Sequence, residues 1–140
     1  MIVGIGVDVV HAARMVRWRK TPRLLERYFH PQELSDALSR GSGADLSLAA
    51  RFAAKEAFGK ALGTGLAGIV LKDIMVKNRH NGQPEIHVFG TASKAFDRSG
   101  ANRIHISLTH EKNNAIAMVV LEALSRDLAD QELTNQEVWL

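Results

Sequence analysis

The chain has no cysteine, only three prolines, and few aromatics: two Trp, one Tyr and five Phe in 140 residues. Without cysteine, a disulfide framework, a thiolate zinc site and a cysteine nucleophile are all excluded. The shortage of aromatic rings argues against a surface that stacks nucleic-acid bases. No apolar run reaches membrane-spanning length, and MIVGIGVDVV has no basic region or cleavable apolar stretch ahead of it. The expectation is therefore a cytoplasmic protein with neither membrane nor nucleic acid as partner. Internal repeats, low-complexity tracts and the phosphate-binding pattern GxxxxGK[ST] are also missing.

What is present fits a single domain with a core of its own, since 46% of residues are hydrophobic and 24% charged. The net charge of +3 is spread unevenly. Arg14, Arg17, Arg19, Lys20, Arg23 and Arg27 face only Glu26, whereas residues 123–140 set Arg126 against Asp127, Asp130, Glu132 and Glu137. A basic front end implies an acidic partner, and a solvated helix face is the plainer alternative.

Residues 2–10 read as a strand in which Ile5, Val7 and Val9 alternate with Gly4, Gly6 and Asp8. One face is apolar and the other nearly bare, so either something bulky approaches the backbone beside Asp8, or the glycines mark a bulge or tight packing. Residues 11–40 read as short basic helices broken at Thr21-Pro22 and His30-Pro31, and Gly41-Ser42-Gly43 as a loop. From about Leu46 to Leu62 a helix is expected, with Asp45 as N-cap and Gly63 and Gly65 as stop signals. That helix is apolar nearly all round, so Arg51, Lys55, Glu56 and Lys60 each need an explanation. Strands are expected at 71–77 and 85–89 around an Asn81-Gly82 turn, then a helix over 91–98. A second hairpin, 103–110 and 115–121, turns at Glu111 to Asn114. The fold class is α+β, a largely antiparallel sheet packed on one long central helix. Residues 123–140 form an acidic tail.

On an ideal wheel Lys60 lies 40° from Glu56, and Gly59, Gly63 and Ala49 share that face. On a polar helix this i, i+4 pair would be an ordinary surface pair; on this one it would lie in a desolvated groove, where the carboxylate needs a cation. Lys60 would supply it, or a metal would. Asp8 adds a second hard oxygen ligand if strand and helix pack together, and two carboxylates completed by phosphate and water suit Mg2+. His11, His30, His80, His87, His105 and His110 match no compact zinc spacing. Arg51, Lys60 and the Gly63-Thr64-Gly65 turn offer phosphate donors, but Arg51 points about 140° away from Glu56. His110, at the end of a polar strand, is a substrate contact or a structural histidine.

Three blocks, GIGVDVV at 4–10, RFAAKEAFGKALGTG at 51–65 and HISLTHEKNNAIAMVVLE at 105–122, resemble the holo-acyl-carrier-protein synthase family of 4′-phosphopantetheinyl transferases. The resemblance spans residues 1–122 and implies a compact transferase domain there, with 123–140 as an extension. It further implies a homotrimer whose coenzyme A sites lie between subunits. By that pattern Asp8 and Glu56 hold Mg2+ and, with Lys60 beside the phosphates, form the catalytic set. Arg51, Lys60, Gly63, Ser107, Thr109 and His110 surround coenzyme A, and Arg14, with Arg17 beside it, meets acyl carrier protein. The implied reaction moves 4′-phosphopantetheine from coenzyme A to a carrier serine, releasing adenosine 3′,5′-bisphosphate in support of fatty acid biosynthesis. Glu56 or a metal-bound water would take the serine proton. A non-catalytic binding module and a magnesium-dependent phosphate-ester hydrolase are the competing functions. The sequence departs from the family at His11-Ala12-Ala13, where an acidic and an apolar residue are usual, and at Gln83, where a cation is common.

Overall fold

The computed structural model describes residues 1–126. The chain runs β1 (Ile2–His11), α1 (Ala13–Arg19), α2 (Pro22–Tyr28), α3 (Pro31–Leu38), α4 (Ala44–Leu62), β2 (Ile74–Asn78), β3 (Pro84–Val88), α5 (Gly90–Ser99), β4 (Arg103–Glu111) and β5 (Asn114–Glu122). Antiparallel pairing holds throughout, as expected, but it forms a three-stranded sheet in the order β1-β5-β4 and a separate β2-β3 ribbon. Most of the acidic tail, residues 127–140, lies outside the described residues.

The prolines set the breaks among the short helices, Pro22 and Pro31 each opening a first turn where a missing N–H costs nothing. α3 is further fixed by a capping box: the His30 ring accepts from the Gln32 N–H, and the Glu33 carboxylate accepts from the His30 N–H. Two expectations fail at the start of α4. Gly41–Gly43 is a 3-10 turn rather than a loop. It runs straight into the helix, so Asp45 falls inside the first turn and caps nothing; it pairs instead with Arg19 at 3.0 Å. The stop was legible, because Gly63 takes the left-handed conformation (φ 81°) that a side chain would oppose.

α4 is the core of the molecule, with Leu48, Ala53, Ala54, Ala57 and Phe58 fully buried. Truncating Leu48 or Phe58 to alanine would cost about 2–5 kcal/mol. The helix lies across the sheet against β1 and β5. A Cβ at Gly4 would sit 1.8 Å from the Ala61 carbonyl oxygen, and one at Gly6 would sit 1.9 Å from that of Ala57. The bare face of β1 is therefore the inner face, and α4's backbone is what occupies it. Tight packing explains both glycines, with a register irregularity between Ile2 and Gly4 besides. The apolar face of β1 points the other way, leaving Ile5 64% exposed and Val7 and Val9 more than half exposed.

Candidate functional site

Asp8 follows Gly6 on the inner face of β1 and pairs in register with Ala117. Its carboxylate meets α4 across the cleft that the glycines create. The Lys60 ammonium donates to Asp8 Oδ1 and to the Val7 carbonyl, each at 3.0 Å. The lysine thus pairs across to the strand rather than with Glu56 along its own helix. Its side chain is 53% exposed against 18% for Asp8, so the groove is an open rim and not the desolvated slot expected from the helix's apolar character. Glu56 is half-buried. Burial pushes its pKa up, the Asp8 carboxylate adds to the rise, and Lys60 and Arg14 oppose it. Asp8, Glu56, Lys60 and Arg14 therefore share one electrostatic neighbourhood. Arg14 is held over two rings, its guanidinium carbon 5.5 Å from the Trp18 centroid and 5.4 Å from that of Phe52.

Among the described residues no cluster of three or more His, Cys, Asp or Glu is placed to hold a metal. A pair of carboxylates close enough to act on each other fits a hard cation that keeps waters and borrows substrate oxygens, which is how Mg2+ binds. It does not fit zinc, which takes three or four protein ligands.

The remaining candidates lie elsewhere. Gly63, exposed, closes α4 by donating its N–H to the Lys60 carbonyl at 3.0 Å. Arg51 is buried on another side of the helix, where it donates to the Val76 carbonyl and lines a cavity of about 370 Å3 with His110, Arg40 and Asn78. The wheel angle that separated Arg51 from Glu56 is consistent with this placement. Ser107 and Thr109 are exposed and pair with Met118 and Ile116, which pair in turn with Val7 and Val9, on the outer face of the sheet. Arg14 and Arg17 are exposed on α1. One chain thus gathers Asp8, Glu56 and Lys60, with Arg14 in the same electrostatic neighbourhood, and leaves Arg51, Ser107, Thr109 and His110 elsewhere. Sequence reading missed Trp18 and Phe52 as the seat of Arg14, and Glu33 as the partner of Lys55. The one available signal was a lysine stranded on an apolar helix.

Residues 4–119 match the 4′-phosphopantetheinyl transferase superfamily. The chain belongs to it. A holo-[acyl-carrier-protein] synthase of Treponema denticola is 55% identical over 122 residues, covering 87% of this chain and 99% of that one. Among solved structures, the holo-[acyl-carrier-protein] synthase of Neisseria meningitidis superposes with a TM-score of 0.78 at 35% identity, over 87% of this chain and 99% of the other. The Bacillus anthracis holo-(acyl-carrier-protein) synthase, solved in complex with CoA (3′,5′-ADP), gives 0.74 at 34% identity, over 89% and 99%. The phosphopantetheinyl transferase fold is thus an α+β fold with its sheet packed on a long helix, and no helix among the described residues is long and apolar enough to cross a membrane.

Proposed function

We propose that this chain is a holo-[acyl-carrier-protein] synthase that uses the groove between β1 and α4 to move 4′-phosphopantetheine from coenzyme A onto a serine of apo acyl carrier protein, in the cytoplasm and in support of fatty acid biosynthesis. The observation that carries the reading is the Lys60 ammonium bonded to Asp8 beside the Glu56 carboxylate, two acids and a cation converging from different elements. The transferase domain is residues 1–122, and 123–140 is an acidic extension.

In the reaction the serine oxygen bonds to the β-phosphorus of coenzyme A, the pyrophosphate P–O bond breaks, and adenosine 3′,5′-bisphosphate departs with that oxygen. Asp8 and Glu56 would hold Mg2+, which when bound supplies Lewis-acid neutralisation of the pyrophosphate. Glu56, beside Asp8 at the groove, would receive the serine proton directly or through a water. Lys60, mostly exposed yet anchored to β1, neutralises the departing phosphate oxygen. Arg14, pre-oriented on Trp18 and Phe52, and Arg17 would meet the acidic carrier.

The outer face of the sheet supports a homotrimer. Ile5, Val7, Val9 and Met118 expose apolar surface there beside Ser107 and Thr109, a composition suited to burial against further copies. Arg51, Ser107, Thr109 and His110 of one copy would then complete the coenzyme A site of the next, with Gly63 at the phosphate end.

The test is incubation with coenzyme A, Mg2+ and an apo carrier, followed by intact-mass analysis. One phosphopantetheine per carrier is expected, and Glu56→Gln should abolish it. Phosphopantetheine released without carrier modification would instead identify a hydrolase, and no change with any carrier a binding module.

A further inference from the structure

Besides Lys60, α4 carries two further cations, one turn apart and away from Asp8. Arg51 and Lys55 are both buried. The Lys55 ammonium spends all three donors: on Glu33 Oε1 at 2.6 Å, on the Leu71 carbonyl at 2.9 Å and on the Ile74 carbonyl. Glu33 in turn accepts from the His30 N–H and the Val76 N–H, each at 3.0 Å, while Arg51 donates to the Val76 carbonyl. The Glu33 and Lys55 side chains are each 0% exposed. Among the described residues no buried side-chain polar atom lacks a partner.

A desolvated ion pair of this kind adds little net stability, since apolar residues of similar volume often do as well. What it supplies is direction. On its other side α4 rests on β1 through Gly4 and Gly6 against the backbone at Ala57 and Ala61, a contact made without interlocking side chains. Such a smooth contact sets the depth of the helix but does little to resist its turning about its own axis. The aromatic contacts of Phe52 with Trp18 and of Phe58 with Phe96 resist it, and so do the polar anchors to β2 and α3, which act one residue before Glu56. We propose that Glu33 and Lys55 are positioning residues for the reaction: their buried pair fixes the rotation of α4, and so aims Glu56 and Lys60 at Asp8. A turn of about 20° would carry a side-chain tip 5–6 Å from the helix axis through roughly 2 Å. Misplacement by about 1 Å is enough to cost on the order of 100-fold in rate.

This rests on the proposed roles of Glu56 and Lys60, and the test separates the two. In the Glu33→Leu/Lys55→Met double variant the charges leave together and apolar volume remains. Its melting temperature should fall, because the Val76 N–H and the Leu71 and Ile74 carbonyls lose their side-chain partners, and kcat measured below that transition should be lower by about 100-fold with the coenzyme A KM nearly unchanged. Mn2+ binding, followed by electron paramagnetic resonance without turnover, should weaken in parallel. A folded double variant with parental kcat and Mn2+ affinity would overturn the proposal. Should the double variant not fold, Glu33→Gln, of the same shape, decides: a kcat loss of about 10-fold or more with a native circular dichroism spectrum upholds the role, and parental kcat refutes it. Glu56→Gln serves as the control. If it keeps parental Mn2+ affinity, the metal reading fails, and the pair is then judged on kcat and melting temperature alone.

Discussion

Adding one methyl group at Gly6 should damage the reaction more than it damages the fold. In Gly6→Ala the new Cβ would lie 1.9 Å from the Ala57 carbonyl oxygen and 2.8 Å from the Ala61 nitrogen, where ordinary contact begins at 3.4 Å. Both obstacles are backbone atoms inside α4, so no side chain can swing aside. Either β1 retreats from the helix by about 1.5 Å or the helix moves with it, and overpacking on this scale costs about 1–3 kcal/mol. For a domain of this size that lowers Tm by roughly 4–12 °C. Asp8 is two residues along on the same inner face and moves with the strand, away from Lys60 and Glu56. At on the order of 100-fold per ångström of misplacement, kcat should fall by at least about 100-fold at a temperature where the variant remains folded. The assay pairs differential scanning calorimetry with carrier modification measured below the variant's transition. Gly100→Ala, outside the groove, is the contrast: its Cβ would meet nothing within 4 Å, and φ of 81° leaves only local strain of about 1 kcal/mol. Parental Tm and kcat in Gly6→Ala would refute the packing argument, and a loss of Tm with kcat untouched would detach Asp8 from the chemistry.

Arg14→Ala should raise the carrier KM several-fold at low ionic strength, with the difference shrinking as salt rises, because an exposed charge is screened over about a Debye length; a change confined to the coenzyme A KM would place Arg14 elsewhere. In metal-free protein, Glu56 should titrate above a free glutamate, and Asp8→Asn should move its midpoint down, since the Asp8 charge contributes to the shift. Because the folded-state pKa is raised, this carboxyl favours the fold at acid pH and that contribution disappears as pH climbs through the folded-state pKa. A carboxyl-selective NMR titration reads the midpoint, and one unmoved by Asp8→Asn would show that the two acids do not face each other. Val7→Lys, on the outer sheet face, should leave the chain folded but shift the mass in light scattering to a single copy; an unchanged mass would remove that face from the assembly.

The elements were legible where one residue type has one physical use. Proline breaks, the Gly63 stop and the Asn81-Gly82 turn sit where backbone sterics demand them. Asp8, Glu56 and Lys60 were found because acids and cations on apolar elements have to be accounted for. The Glu56–Lys60 spacing marks the groove but not the hydrogen bond made there, because spacing along a helix is blind to what approaches from another element, and Lys60 bonds Asp8 on β1. For the same reason nothing in the sequence around Glu33 marks it, although Lys55 reaches it across 22 positions. Asp45 reads as a cap because its type favours that role, but the 3-10 turn ahead of it moves the helix start two residues earlier, to Ala44. Arg14 was legible as a charge, but its aromatic seat joins α1 to α4 and could not be read from either segment alone.

The near-contact of helix and strand backbones at Gly4 and Gly6 also bears on how the molecule breathes. With no side-chain layer between them to slide or melt first, α4 and β1 should open as one cooperative unit, and their slowest amides should report one common opening free energy in hydrogen exchange. The two acids ride on that unit, so thermal fluctuation presents the groove either whole or not at all, and partial opening near the basic helices leaves the carboxylates in register.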